Sequence, residues 1–163
     1  MSVAAAPDRI EAFRKRLNGG VVLFDGAMGT EIYRRGVFIN RAFEELNLGD
    51  GALVRDIHAT YLRAGADVLT TNTFGGSRNR MREFGLEERF EEIHSNAVRI
   101  ALEVASDHAW VAASIGPLRK QLAPVGRVDP GQAFTAFREQ ASIMLAQGPH
   151  AVVLETFYDV NEL

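Results

Sequence analysis

Four short apolar runs, each turning polar at its carboxyl end, lie about 40 residues apart with amphipathic helical stretches between them. A shared polar end marks a parallel sheet with one active edge. These two observations predict an α/β fold. A third sets its extent. An eight-fold β/α barrel needs about 250 residues or more, and 163 residues hold only about four βα units at this spacing. The expectation is therefore the N-terminal half of a (β/α)₈ TIM barrel: one partial domain over 1–163, with an N-terminal helix in 1–20. A complete four-stranded open α/β domain is the competing arrangement. Against it, neither G-x-G-x-x-G nor a Walker A motif follows the first run.

The runs justify themselves in order. Val21–Asp25 is too short for a helix, rich in β-branched and aromatic residues, and reads as a strand buried on both faces. Asp67–Asn72, Trp110–Ser114 and Ala151–Glu155 repeat the pattern. Between them, four apolar stripes predict core-packed helices: Ile10/Phe13/Leu17, Leu53/Ile57/Tyr61, Phe90/Ile93/Ala97/Ile100/Val104 and Phe134/Phe137/Ala141/Leu145. Gly65 and Gly148-Pro149 are the expected helix stops. Gln121 to Gly131 reads as a loop on the active face, and Tyr158–Leu163 as the first turn of a further helix whose remainder would cover the fourth strand.

Composition narrows the function. Hydrophobic residues at 47% and charged residues at 24% fit an ordinary globular domain. A net charge of -3 argues against a nucleic-acid partner. No apolar run approaches the roughly 18 residues of a membrane span, and Met1–Pro7 lacks the pattern of a secretory signal. The expected compartment is the cytoplasm. There is no cysteine, which excludes disulfides, a thiol nucleophile and a thiolate metal site built from this chain alone. His58, His94, His108 and His150 show no ligand spacing and read as surface or helix-packing residues. Lys15 and Lys120 fall outside the strands, which argues against Schiff-base chemistry.

Asp25 stands at a strand's carboxyl end, where α/β folds place their chemistry. Gly26 and Gly29 follow it and allow close backbone approach to a ligand. The same spacing also suits a turn with Asp25 as its cap. Asn72, Thr73, Ser114 and Glu155 occupy the other strand tips. Arg78, Arg80 and Arg82 form a basic cluster that reads as a solvated helix face, with contact to a polyanionic donor as the lesser reading.

Taken as an ordered set, Phe24-Asp-Gly-Ala-Met-Gly-Thr-Glu31, Phe43-Glu-Glu-Leu-Asn47, Ala64-Gly-Ala-Asp67, Thr71-Asn-Thr-Phe-Gly75, Phe84-Gly-Leu86, Ser114-Ile-Gly-Pro117 and Leu154-Glu-Thr-Phe157 resemble the homocysteine S-methyltransferase family. The likeness runs from about Val21 to the last residue. It is greatest to the homocysteine-binding domain as in cobalamin-dependent methionine synthase and homocysteine methyltransferase/methylenetetrahydrofolate reductase fusions.

The resemblance implies methyl transfer to the thiolate of homocysteine, giving methionine, on a zinc ion that lowers the thiol pKa. The family's zinc ligands are cysteines of the second half of the barrel, in and around a Gly-Gly-Cys-Cys motif that this sequence does not contain. The chain by itself is therefore expected to bind no zinc tightly and to be inactive. No residue of this half is assigned a catalytic role. The substrate-binding residues implied are Asp25, Gly26, Asn72, Thr73, Phe74, Ser114 and Glu155. Asp25 and Glu155 would take the α-ammonium through charge-assisted hydrogen bonds, and Phe74 would wall the methylene chain. Backbone N–H groups around Gly26 and Gly29 would meet the carboxylate.

Each assignment has a plainer counterpart. Glu155 could pair with an arginine, Asn72, Thr73 and Ser114 could brace loops, and Phe74 could simply pack. The partners implied are homocysteine and a methyl donor: methyltetrahydrofolate through cobalamin, S-methylmethionine or betaine. Exposed sheet edges would favour self-association. Two other functions stand beside this one: a barrel lyase or hydrolase using Asp25 and Glu155 as an acid–base pair, and a non-catalytic half barrel.

Overall fold

The computed structural model describes residues 7–38, 41–49 and 51–163. Helices α1 (Pro7–Gly19), α2 (Met28–Arg34) and α3 (Ala52–Arg63) precede strand β1 (Val68–Thr70). A 3₁₀ turn, Phe43–Asn47, links α2 to α3. Then come α4 (Arg78–Glu83), α5 (Phe90–Ala105), β2 (Trp110–Ile115), α6 (Pro130–Leu145) and β3 (Ala151–Leu154). The expected N-terminal helix is α1; residues 1–6 lie outside the described part. The strands form a parallel sheet in the order β1-β2-β3, with Thr70 level with Ala112 and Ser114 level with Val153. The α/β class and the parallel sheet agree with the sequence reading.

Strand parity divides the core. Leu69, Val111, Ala113 and Ile115 point to the helix layer, where α5 supplies Val98, Ala101 and Ala105 and α6 supplies Met144. Val68, Ala112 and Val153 point the other way, onto Phe13 of α1 and Val22. Phe13 lies against Trp110 with ring centroids 5.3 Å apart. Two ion pairs, Arg9 to Asp107 and Arg16 to Asp67, fasten α1 beneath the amino ends of the strands. The opposite, carboxyl edge stays open. Gly65 and Gly148 stop their helices with positive φ, +97° and +79°, as the sequence predicts.

Several expectations need correction. The run Val21–Asp25 is extended but joins the sheet through a single parallel bridge, Phe24 to Val68. It is not buried on both faces: Val21 is 84% and Leu23 53% exposed. Among the described residues it has a neighbour on one side only, and β-pattern residues bury only when something covers them.

The α3 stripe is shifted to Val54, Ile57 and His58, with Tyr61 half-buried at its edge. On α6 the buried residues are Ala133, Gln140 and Met144, whereas Phe134 and Leu145 stand 64% and 52% exposed. Phe134 faces an open groove of ≈ 460 Å³ shared with Val152, Leu154 and Phe157. The helix pattern identified the apolar side, but among the described residues no further element covers that part of it.

Loop 121–131 curls onto α6 through Leu122 and Val128, not over the Asp25 edge. Tyr158–Leu163 forms turns instead of a helical turn. The Glu162 carboxylate accepts the Leu118 N–H at 2.6 Å there, tying the segment to the loop after β2.

Candidate functional site

A cavity of ≈ 600 Å³ opens at the carboxyl ends of the strands. This is the size and position typical of a small-molecule site. Its floor follows from parity: Thr70, Ser114 and Val153 lie on the sheet face opposite α5 and α6, and Glu155 continues β3 in the same phase. Asp25 and Gly26 enter from one edge of the sheet and Glu155 from the other.

Asp25 is held rigidly. Its backbone N–H donates to the Val68 carbonyl at 2.9 Å. Its carboxylate accepts the Thr70 N–H at 2.9 Å and the Thr70 hydroxyl at 2.7 Å. Burial pushes the carboxyl up to about 6 despite the two Thr70 bonds, and the nearby Glu155 charge adds to the rise. Glu155 accepts a hydrogen bond from the Ser114 hydroxyl. Thr156 follows at φ +64°, a left-handed turn uncommon outside glycine, directly after the acid. Gly26 is required by packing: a Cβ there would lie 2.9 Å from the Tyr61 ring.

The tip of β1 is braced from the 3₁₀ turn. Asn47 donates to the Asn72 carbonyl at 2.8 Å, and Asn72 donates to the Phe43 carbonyl at 2.8 Å and to Asn47 Oδ1 at 3.2 Å. Asn72 lines the cavity while making these bonds, and Phe74 lines it beside Ser114. Thr73 lies elsewhere. It is fully buried, and its hydroxyl donates to the Ser114 carbonyl at 2.6 Å. Its observed role is to tie β1's end to β2, and it is not among the residues lining the cavity.

Replacing Asn47 by alanine removes one donor and one acceptor at this brace. The expected cost is about 2 kcal/mol of folding stability, read from urea unfolding. A loss below about 0.5 kcal/mol would show that the brace is dispensable.

Glu44 is a third carboxylate lining the cavity. It is buried, its carboxyl is raised by that burial, and it accepts the Gly75 N–H at 2.7 Å. Sequence reasoning quoted the Phe43–Asn47 motif without giving Glu44 a role. The Glu44-Glu45 pair carries no local signal of which acid turns inward; Glu44 is buried and Glu45 pairs with Arg41, a difference set by tertiary contact.

Arg78, Arg80 and Arg82 are ion-paired, to Glu139, Glu83 and Glu87 respectively. Arg78 and Arg80 also stack on Phe90 and Phe84. Only Arg82 stands on the solvated face the sequence suggested; Arg78 and Arg80 are half-buried. Of the histidines, His58 and His94 are fully buried in helix packing.

The fold and the cavity define an α/β protein with an acidic, ligand-sized site at its strand carboxyl ends. Comparison with known proteins gives that class a family. The description "Homocysteine S-methyltransferase" matches residues 22–163. Methionine synthase of Mycobacterium tuberculosis is 30% identical over 159 residues, which cover 90% of this chain and 13% of that protein. Methionine synthase of Mycobacterium leprae is 30% identical over 168 residues, covering 96% and 14%. The metallated form of the homocysteine methyltransferase MmuM from Escherichia coli has the same fold at TM-score 0.78 and 21% identity, over 92% of this chain and 59% of that one. The chain belongs to the homocysteine S-methyltransferase family. It spans about one seventh of the curated methionine synthases it matches.

Proposed function

We propose that this chain supplies the amino-acid-binding side of a homocysteine S-methyltransferase, as the first four βα units of a (β/α)₈ barrel. The observation that carries the reading is the convergence of Asp25 and Glu155, from opposite edges of one parallel sheet, on a single cavity. The α-ammonium of homocysteine would donate its hydrogen bonds to these two carboxylates. Ser114 would hold Glu155, and Thr70 would hold Asp25. Asn72 and Phe74 would line the path of the side chain, with Gly26 leaving room for the backbone turn. Thr73 would act only by fixing the strand ends. The thiolate would then accept a methyl group from a donor, to give methionine. The open sheet edges support pairing with further βα units, or with a second chain. A cytoplasmic setting follows from this metabolic role; among the described residues no helix is long and apolar enough to cross a membrane.

Zinc is part of the family reading, but the residues of this chain do not fit it. The chain contains no cysteine, and among the described residues no three His, Cys, Asp or Glu side chains gather as a ligand set. No step is therefore derived through a metal here, and cobalamin or methyltetrahydrofolate would likewise be met by parts other than these residues.

The test is calorimetric titration of the 163-residue chain with homocysteine at pH 7.5. Saturable binding is expected, and Glu155→Gln should weaken it by about tenfold through loss of one charged acceptor. Equal affinity for homocysteine and for its des-amino analogue would refute the assignment. The raised carboxyl of Asp25 favours one second reading, an acid–base pair for a lyase or hydrolase. That reading requires turnover by the chain itself, abolished in both amide variants.

A further inference from the structure

His58 lies on α3 beneath the cavity, completely buried, and neither ring nitrogen has a hydrogen-bond partner among the described residues. A buried polar atom left unpaired is costly, so such a group calls for an explanation. His94, also buried, is anchored by Nδ1 to the Phe90 carbonyl at 2.7 Å. His58 has no such anchor. Its Nδ1 instead faces Asp25 Oδ2 at 4.0 Å, with both side chains shielded from solvent. That is about 1 Å beyond hydrogen-bond reach, within what a small ring adjustment covers. Asp25 already takes two bonds from Thr70 and retains acceptor capacity on Oδ2.

We infer that His58 is a positioning residue: as the neutral Nδ1–H tautomer it becomes the third donor to the Asp25 carboxylate when a cationic group of the ligand enters the cavity. Asp25 without a ligand sits where its ionised form is disfavoured by burial. Near pH 6 an arriving ammonium completes that ionisation, and the ionised carboxylate, now held against the ligand, draws in the remaining donor, because hydrogen bonds to a charged acceptor are the strong ones. His58 thus keeps the acid aimed at the ligand from the side that the ligand cannot reach. The inference rests on the proposed function only for the identity of that ligand.

The other charged groups around the pair have their own partners. Glu31 on α2 binds Arg34 and Arg35, Glu45 of the 3₁₀ turn binds Arg41, and Glu103 on α5 binds Arg55. Glu44 holds the Gly75 N–H, and Glu155 takes the Ser114 hydroxyl across the cavity. Tyr61, one turn along α3, donates its hydroxyl to the Ala27 carbonyl at 3.2 Å. Asp25 is the one carboxylate within ion-pair distance of His58 among the described residues.

Nitrogen and carbon NMR on the labelled 163-residue chain tests this. The wild-type His58 ring should be neutral and protonated on Nδ1 at pH 7.5. The Asp25 carboxyl titration, followed with saturating homocysteine, should move up by about one pH unit in His58→Leu. It should return toward wild type in His58→Asn, whose amide nitrogen sits near the Nδ1 position. Homocysteine affinity in His58→Leu should fall several-fold near pH 6 and little at pH 8. An Nδ1-deprotonated ring in the wild type, or an unchanged Asp25 titration in His58→Leu, overturns the inference. If His58→Leu does not fold, the wild-type tautomer decides. If homocysteine does not bind, the functional reading fails, while the ring tautomer and the response of ligand-free Asp25 to methylammonium still judge His58.

Discussion

Asp25→Asn is expected to weaken homocysteine binding by about 2–3 kcal/mol, or roughly 30- to 150-fold, while leaving the fold intact. The asparagine side chain can keep both Thr70 contacts. Its Oδ1 accepts the Thr70 N–H, and its Nδ2 donates to the Thr70 hydroxyl, reversing one bond of the native pair. What it cannot do is offer a charged acceptor to an ammonium.

The pH dependence should separate the two proteins. The Asp25 carboxyl stands at about 6 in the folded chain, against 3.8 for an ordinary aspartate. Wild-type affinity should therefore fall as pH drops through 6, whereas the variant loses this step. Stability runs in the opposite sense. Between pH 3.8 and 6 the folded state holds the Asp25 proton more tightly than the unfolded state, so this group's contribution declines as pH rises across that window. The shift corresponds to about 3 kcal/mol at pH 7, and the variant is relieved of it. Calorimetry with parallel urea unfolding at pH 5 and 7 checks both. Lost binding accompanied by a large loss of stability at pH 7 would contradict this account.

His58 and His94 act against Asp25 in acid. Burial holds both near 4, below the ordinary histidine value of 6.5. Between pH 6.5 and 4 the unfolded state takes up their protons first, so their contribution to stability is lost as pH falls through that range.

Phe90→Ala is the substitution expected to cost most stability, about 3–5 kcal/mol. Domains of this size have only about 5–15 kcal/mol in total. Phe90 opens α5, is buried to 1% exposure, and packs with Met81, Ile93 and Ala42. The His94 ring lies 4.3 Å from it and the Arg78 guanidinium 4.4 Å above it. Arg78 in turn grips Glu139 through two nitrogens, joining α4 to α6. The deletion therefore leaves a cavity where the support of the second strand-tip loop converges. Urea unfolding should show the midpoint falling by a third or more. A cost under about 1.5 kcal/mol would mean that neighbouring side chains refill the space.

Local pattern was a good guide wherever a segment's environment was implied by the segment itself. Helices α3, α5 and α6, the glycine stops of α3 and α6, the strands β1 to β3 and the polarity of their ends all follow from periodicity and turn chemistry. So does the placement of Asp25, Asn72, Phe74, Ser114 and Glu155 around one cavity, because strand ends that share a parallel sheet share an edge. Thr73 escaped this logic. One residue from Asn72, it lies in the turn past the end of β1, where strand alternation no longer sets direction, and its hydroxyl serves the strand junction.

The sequence by itself determined the order of the strands and of helices α1, α3, α5 and α6, the apolar side of α5 and α6, and the acids at the two outer strand ends, since these depend on spacing along one chain. Only the tertiary structure decided which apolar residues are covered, that Glu44 turns inward against Gly75, and that His58 lies under Asp25. Coverage and buried pairing arise between segments distant in sequence. The free energy that burial gains or costs depends on a neighbour that no local pattern specifies.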